Sequence, residues 1–302
     1  MTPITRRRLF CFGLGYSALT LARRQQANGW AVAGTCRGED NRDALAREGI
    51  AAHLFDRDRP LDDVAAALAG TTHLLSSVPP DATGDPVLAL HGSAIATLGR
   101  SLEWAGYLST TGVYGDRAGG WVDESAALQP TGERGRRRCA AEAAWLDLWR
   151  QHGVPVHLFR LAAIYGPGRS ALDQVRAGTA RRIDKQGQVF SRIHVEDIAT
   201  VLQASMAWPH PGRVYNVCDD MPEAPQTVIA FACTLLGVAP PPLVSFEAAD
   251  LSPMARSFYD DNKRVANTRM KEELGIRLRY PDYRAGLRAL MADDQAAKVP
   301  PS

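Results

Sequence analysis

Residues 8–19 read RLFCFGLGYSAL. An apolar run from Arg8 to Phe12 stops at Gly13, and the stretch behind Gly15 takes helical spacing until Gly29. The order is strand, tight turn, helix, which is how a parallel α/β sheet opens. The turn itself, Gly13-Leu14-Gly15-Tyr16-Ser17-Ala18, matches G-x-G-x-x-A. The first glycine permits the sharp turn, and the second lets backbone approach a pyrophosphate. Ala18 is small enough for close helix–sheet packing, and the helix start offers N–H donors to phosphate. A strand–helix turn with no ligand is the plainer alternative for the same residues.

Working outward, WAVAGTCR (30–37) is a second strand-forming run, and it ends at Arg37. A carboxylate at that strand end would hold the 2′-hydroxyl of NAD, whereas an arginine suits a 2′-phosphate. Arg37 therefore favours NADP, while Glu39 and Asp40 just beyond it keep NAD open. HLLSSV, GYLSTTGV, VPVHLFRLA and RVYNVCD continue the series of apolar runs, with Ser77 and Val78 expected beside the cofactor at the end of the first of these. Helix-like stretches at 86–104, 139–152 and 195–207 lie between them. Continuous apolar runs alternating with helices predict a doubly wound, Rossmann-type parallel sheet covered on both faces.

After Asp219 the texture changes. APPPLVSFEAADLSPM (239–254) is proline-rich and irregular, flanked by helical segments at 226–237 and 262–274. The pattern predicts an α/β protein whose dinucleotide-binding domain spans 1–167 and 190–219. A smaller C-terminal substrate lobe takes 168–189 and 220–291, and 292–302 reads as a flexible tail.

The 302 residues suffice for a sizeable buried core, and the apolar fraction of 45% and net charge of +2 are ordinary for a globular chain. Such a charge calls for no polyanionic partner, so neither nucleic acid nor membrane is expected. Cys11, Cys36, Cys139, Cys218 and Cys233 show no ligand spacing; they read as reduced thiols of a cytoplasmic protein, and no metal site is expected. The arginines before Leu9 read as the lead into a first strand rather than as a signal peptide.

STTGVYGD (109–116), FRLAAIYGPGR (159–169), FSRIHVEDIA (190–199) and VYNVCDD (214–220) follow in this order. Together they resemble the extended short-chain dehydrogenase/reductase superfamily, which contains NAD(P)-dependent sugar-nucleotide epimerases and dehydratases. The resemblance covers about residues 7–220. It implies that Thr110 stands at the family's catalytic Ser/Thr position, where a hydroxyl hydrogen-bonds a substrate oxygen during hydride transfer. His194 and Asp197 read as residues that cap and orient a helix start.

PTGERGRRRCAAE (130–142) departs from the family. The family opens this helix with Tyr-x-x-x-Lys ahead of an LAAE-like sequence. Aligning CAAE puts Arg138 at the lysine position and Arg134 at the tyrosine position. Four residues apart, the two share a helix face. A guanidinium titrates far above neutral pH and cannot shuttle a proton. Arg138 could still bind the nicotinamide ribose, and Arg134 an anionic or carbonyl group, while Arg136 and Arg137 read as solvated. The pattern is similar to the superfamily's atypical branch, which lacks the Tyr–Lys pair. The proton would then come from Tyr114, Tyr165, Glu133 or water.

Two functions are expected from this. One is an NADP-dependent oxidoreductase or epimerase/dehydratase-like enzyme acting on a small polar carbonyl or hydroxyl substrate, nucleotide sugars included. The other is a non-catalytic NADP(H)-binding sensor or assembly protein. The oligomeric state is left open between monomer and homodimer, with Trp145 and Trp149 read either as a dimer face or as core.

Overall fold

A computed structural model describes residues 7–298. The chain runs through β1 (Arg8–Phe12), α1 (Tyr16–Ala27), β2 (Ala31–Cys36), α2 (Glu39–Arg47), β3 (Ala51–Leu54), α3 (Val64–Leu68), β4 (His73–Ser76), α4 (Pro86–Leu98) and β5 (Trp104–Thr110). It continues with β6 (Trp121–Val122), α5 (Glu133–His152), β7 (Val156–Leu161), β8 (Ala163–Tyr165), α6 (Ala171–Arg176), β9 (Arg182–Asp184), β10 (Arg192–His194), α7 (Val195–Ala207) and β11 (Val214–Val217). The last elements are α8 (Pro225–Leu236), β12 (Leu243–Ser245), α9 (Pro253–Ser257), β13 (Arg264–Val265), α10 (Thr268–Leu274) and α11 (Tyr283–Lys298).

Seven strands form one sheet in the order β11-β7-β5-β4-β1-β2-β3. The pairs β1–β2, β2–β3, β1–β4 and β4–β5 are parallel, with Phe10 opposite both Ala33 and Leu74. The order reverses between β1 and β4, the switch point at whose carboxyl ends doubly wound sheets take their ligands.

The chain divides into two compact units. The first gathers the residues through Thr110 with 133–160 and 199–215; the second gathers 111–132, 161–198 and the chain from Asn216 on. The segment 111–132, placed with the dinucleotide-binding part on sequence, is thus counted with the second unit.

In the first unit a core of Phe10, Phe12, Leu74, Ile95, Tyr107, Trp145 and Leu158 lies between sheet and helices. Trp145 is fully buried and Trp149 packs against the same core, so the pair reads as core rather than as an exposed face. In the second unit Leu172, Val228, Ala232, Tyr283 and Leu287 form a separate core between α6, α8 and α11.

Several expected elements differ from those observed. The helix expected over 139–152 starts six residues earlier, at Glu133, because the arginine run is itself helical. The helix expected over 86–104 ends at Leu98; Gly99 takes a φ of 44° and a 3-10 turn leads into β5. In the stretch expected to be helical over 262–274, Arg264–Val265 pairs with β6 instead, and the helix starts only at Thr268. Residues 292–298, expected as tail, are the last turns of α11; residues 299–302 lie outside the described residues. All five cysteines are free thiols, with Cys139 half-buried and the others buried. Among the described residues no helix is long and apolar enough to cross a membrane.

Candidate functional site

The glycine turn is built by the first unit alone. Gly13 leaves β1 at φ 84°, where an L side chain is strained. A Cβ there would meet Ser77 Oγ at 2.8 Å and Val78 Cγ2 at 3.2 Å. The turn is pinned from both neighbouring strands. The Gly13 amide donates to Thr35 Oγ1 (2.8 Å), and the Leu14 amide to the Thr35 carbonyl (2.7 Å). From the other side Ser77 Oγ donates to the Gly13 carbonyl (2.6 Å). Thr35 and the role of Ser77 escape sequence reasoning, since their partners lie 22 and 64 residues away.

Gly15 caps α1 in extended conformation with no side-chain hydrogen bond to the helix start, and a Cβ there would have no heavy atom within 4 Å. The first turn of α1 carries no acid. Ser17 and Ala18 are buried where the helix meets the sheet, and Tyr16 is half-buried. A rigid turn, open space over Gly15 and an uncapped, acid-free helix start together fit a pyrophosphate.

At the end of β2, Arg37 is exposed and its carbonyl accepts from Arg59 Nη2 (2.6 Å). Glu39 and Asp40 form the first turn of α2, where their charges complement the helix dipole. That local role removes the need for a ribose partner to explain them.

Thr110, half-buried, closes β5. Alongside it, α5 is locked to β5 and β7 by a buried network that local sequence did not reveal. Ser109 Oγ donates to Glu142 Oε1 (2.6 Å). Arg160 grips the same carboxylate, with Nη2 at 2.7 Å from Oε2 and Nε at 3.1 Å from Oε1. Arg138 is half-buried, and its Nη1 donates to Tyr107 Oη (3.0 Å) and to the Leu108 carbonyl (2.7 Å). Arg134 is exposed on the first turn of α5, and Arg136 and Arg137 both pair with Glu133. Those hydrogen bonds hold the Glu133 carboxyl below its ordinary range, which makes it a poor acid.

The tyrosines named as proton carriers are buried in the second unit. Tyr114 is fully buried in a 3-10 turn and its hydroxyl donates to Asn216 Oδ1 (2.7 Å). That hydroxyl, expected as a proton carrier, is thus held inside the fold by Asn216. Tyr165 reaches the Asp282 carbonyl (3.4 Å), and burial pushes its phenol well above the usual range. His194 Nδ1 accepts from the Glu196 amide (3.2 Å), so it does orient the start of α7. Asp197 does something else: its carboxylate accepts from the Arg279 and Tyr280 amides (2.8 and 3.0 Å), fastening that segment to α7.

A solved structure of a functionally unknown conserved protein from Silicibacter pomeroyi DSS is 54% identical, covers 95% of this chain and 99% of its own, and superposes with a TM-score of 0.89. Protein YeeZ of Escherichia coli (strain K12) is 27% identical over 279 residues, covering 89% of this chain and 95% of its own. The dTDP-glucose 4,6-dehydratase of Bacillus anthracis str. Ames, solved in complex with NAD, shares the fold at 14% identity and a TM-score of 0.75, with 97% of each chain covered. The pattern of the NAD dependent epimerase/dehydratase family matches residues 15–218, from the second glycine of the turn to the end of β11. With its doubly wound sheet and pinned glycine turn, the chain belongs to the NAD dependent epimerase/dehydratase family.

Proposed function

We propose that the chain is an NADP-dependent enzyme of the oxidoreductase or epimerase/dehydratase type, acting on the carbonyl or hydroxyl of a small polar substrate. The turn Gly13–Ala18, held rigid by Thr35 and Ser77 with open space over Gly15, is the observation that carries it. Gly13, Leu14, Gly15, Tyr16, Ser17, Ala18, Ser77 and Val78 would hold the dinucleotide, with Arg37 facing a 2′-phosphate. The nicotinamide, when bound, supplies or accepts hydride. The dehydratase of Bacillus anthracis acts on a nucleotide sugar, as its name states, which supports that substrate class here.

The protein's own part in the chemistry is positioning and proton handling. Thr110 hydrogen-bonds the substrate oxygen at the end of β5, and the proton exchanges with water through its hydroxyl. Water takes this part because Glu133 is an ion-paired carboxylate and the phenols of Tyr114 and Tyr165 are buried. NADPH oxidation and NADP reduction measured across a panel of carbonyl compounds and nucleotide sugars test the proposal. Turnover is expected with at least one compound, and Thr110→Ala should lower kcat by about a hundredfold or more. Tight NADP(H) binding without turnover across the panel would favour the sensor reading instead, which the burial of Tyr114 and Tyr165 supports.

A further inference from the structure

We propose that Arg138 is an anion-binding residue of the substrate site, so that the substrate carries a carboxylate or phosphate beside its reacting carbon. The inference rests on the hydride-transfer reading above and narrows its substrate class. Of the arginines opening α5, Arg136 and Arg137 both pair with the Glu133 carboxylate. Arg138, half-buried, does not: among the described residues no carboxylate lies within ion-pair distance of it.

The nearby acids are committed elsewhere. Glu142, one turn further along α5, is consumed by Arg160 and Ser109. Asp85 feels the charge of Arg138 without pairing with it. One of its oxygens accepts from the Val87 and Leu88 amides, the other from Trp145 Nε1 (2.9 Å).

The guanidinium is held in place by neutral groups only. Nη1 is tied to Tyr107 Oη and the Leu108 carbonyl, and the guanidinium carbon sits 5.6 Å from the Tyr107 ring centroid. Both acceptors belong to the carboxyl end of β5, two and three residues before Thr110. Nε and Nη2 make no hydrogen bond to a described residue. A half-buried cation with a fixed plane, two donors in reserve and no counter-ion is built to receive a planar or tetrahedral oxyanion.

Two sources of oxyanion exist, the substrate and the phosphates of the dinucleotide, and titration calorimetry separates them. Inorganic phosphate and oxalate are titrated into the full-length protein, with and without saturating NADP, for wild type, Arg138→Gln and Arg138→Lys. The expected result is binding of at least one anion to the NADP-loaded wild type. Arg138→Gln should weaken it by about tenfold or more, and Arg138→Lys by less, because the charge remains but the fork is lost. NADP affinity should stay within a few-fold in both variants.

A loss of NADP affinity in Arg138→Gln with anion binding unchanged would assign the guanidinium to the cofactor and overturn the proposal. So would a wild type that binds neither anion in either state. Arg138-dependent anion binding to a protein that takes no NADP would sustain the anion site while removing the hydride-transfer reading. If Arg138→Gln fails to fold, Arg138→Lys decides the matter: oxalate affinity lowered with NADP affinity kept within a few-fold supports the proposal, and oxalate affinity unchanged overturns it.

Discussion

Single residues set the shape of the glycine turn, and Gly13 is the clearest case. Any side chain there meets two penalties together: a φ of 84°, and a Cβ 2.8 Å from the Ser77 hydroxyl that holds the turn. Gly13→Ala should cost about 1–3 kcal/mol of stability and weaken NADP binding by tenfold or more. A melting curve and a fluorescence titration of the six tryptophans read both. Normal affinity in the variant would mean that the dinucleotide does not use this turn. Arg37 is separable from the fold, being exposed, and the bond it makes to Arg59 runs through its carbonyl rather than its side chain. Arg37→Ala should therefore weaken NADP several-fold and leave NAD and the melting temperature unchanged; equal losses for both nucleotides would remove the 2′-phosphate assignment.

At the scale of elements, α5 carries Arg134 and Arg138 and is fastened by Glu142. The fastening is a buried ion pair, and its energetics are lopsided. Glu142→Gln leaves the Arg160 guanidinium buried without its counter-charge and should destabilise the protein by about 3–5 kcal/mol. The double variant Glu142→Leu with Arg160→Met should recover most of that loss. A denaturant midpoint for each variant checks it, and additive losses would mean that the pair is not one interaction.

The elements themselves were legible in proportion to their burial. β1, β2, β4, β5, β7 and β11 are continuous apolar runs because both faces of the sheet are covered, and α7 starts and stops where its spacing says. β3 escaped because it is the exposed edge, a short Ala-Ala-His-Leu with no apolar run. The two- and three-residue strands such as β6 and β13 escaped because their pairing is set by distant backbone, 143 residues apart at Trp121 and Arg264. In the site, the glycine turn was readable since its residues are contiguous. The Ser109–Glu142–Arg160 network was not, since separations of 33 and 18 residues leave no local pattern.

At the scale of the whole molecule, buried ionisable groups placed far apart set how stability depends on pH. His73 and His157 are buried among Trp30, Trp104 and the strands, and burial lowers both from 6.5 to about 4. Asp219, at the end of β11, goes the opposite way. Burial pushes it up to about 8, with Arg192 opposing and Asp220 and Asp282 reinforcing the shift. Near pH 5 the unfolded chain holds protons on both histidines and none on Asp219, whereas the folded chain holds one on Asp219 alone. The unfolded state then binds one more proton, so stability climbs with pH through that range.

Above about pH 7.5 the histidines are neutral in both states. Folded Asp219 still keeps its proton while the unfolded carboxyl has lost it, so stability falls toward pH 8. These groups together predict a stability maximum near pH 6.5, with His91 deepening the acidic limb and the buried carboxyls of Asp85 and Glu124 opposing it. Asp219→Asn keeps the shape and removes the titration, so its stability should climb through the acidic limb, level off near pH 7.5 and stay flat to pH 8.5. Chemical denaturation of the two proteins at half-unit pH steps measures this. An alkaline limb that persists unchanged in Asp219→Asn would show that the carboxyl is already ionised in the folded chain at neutral pH.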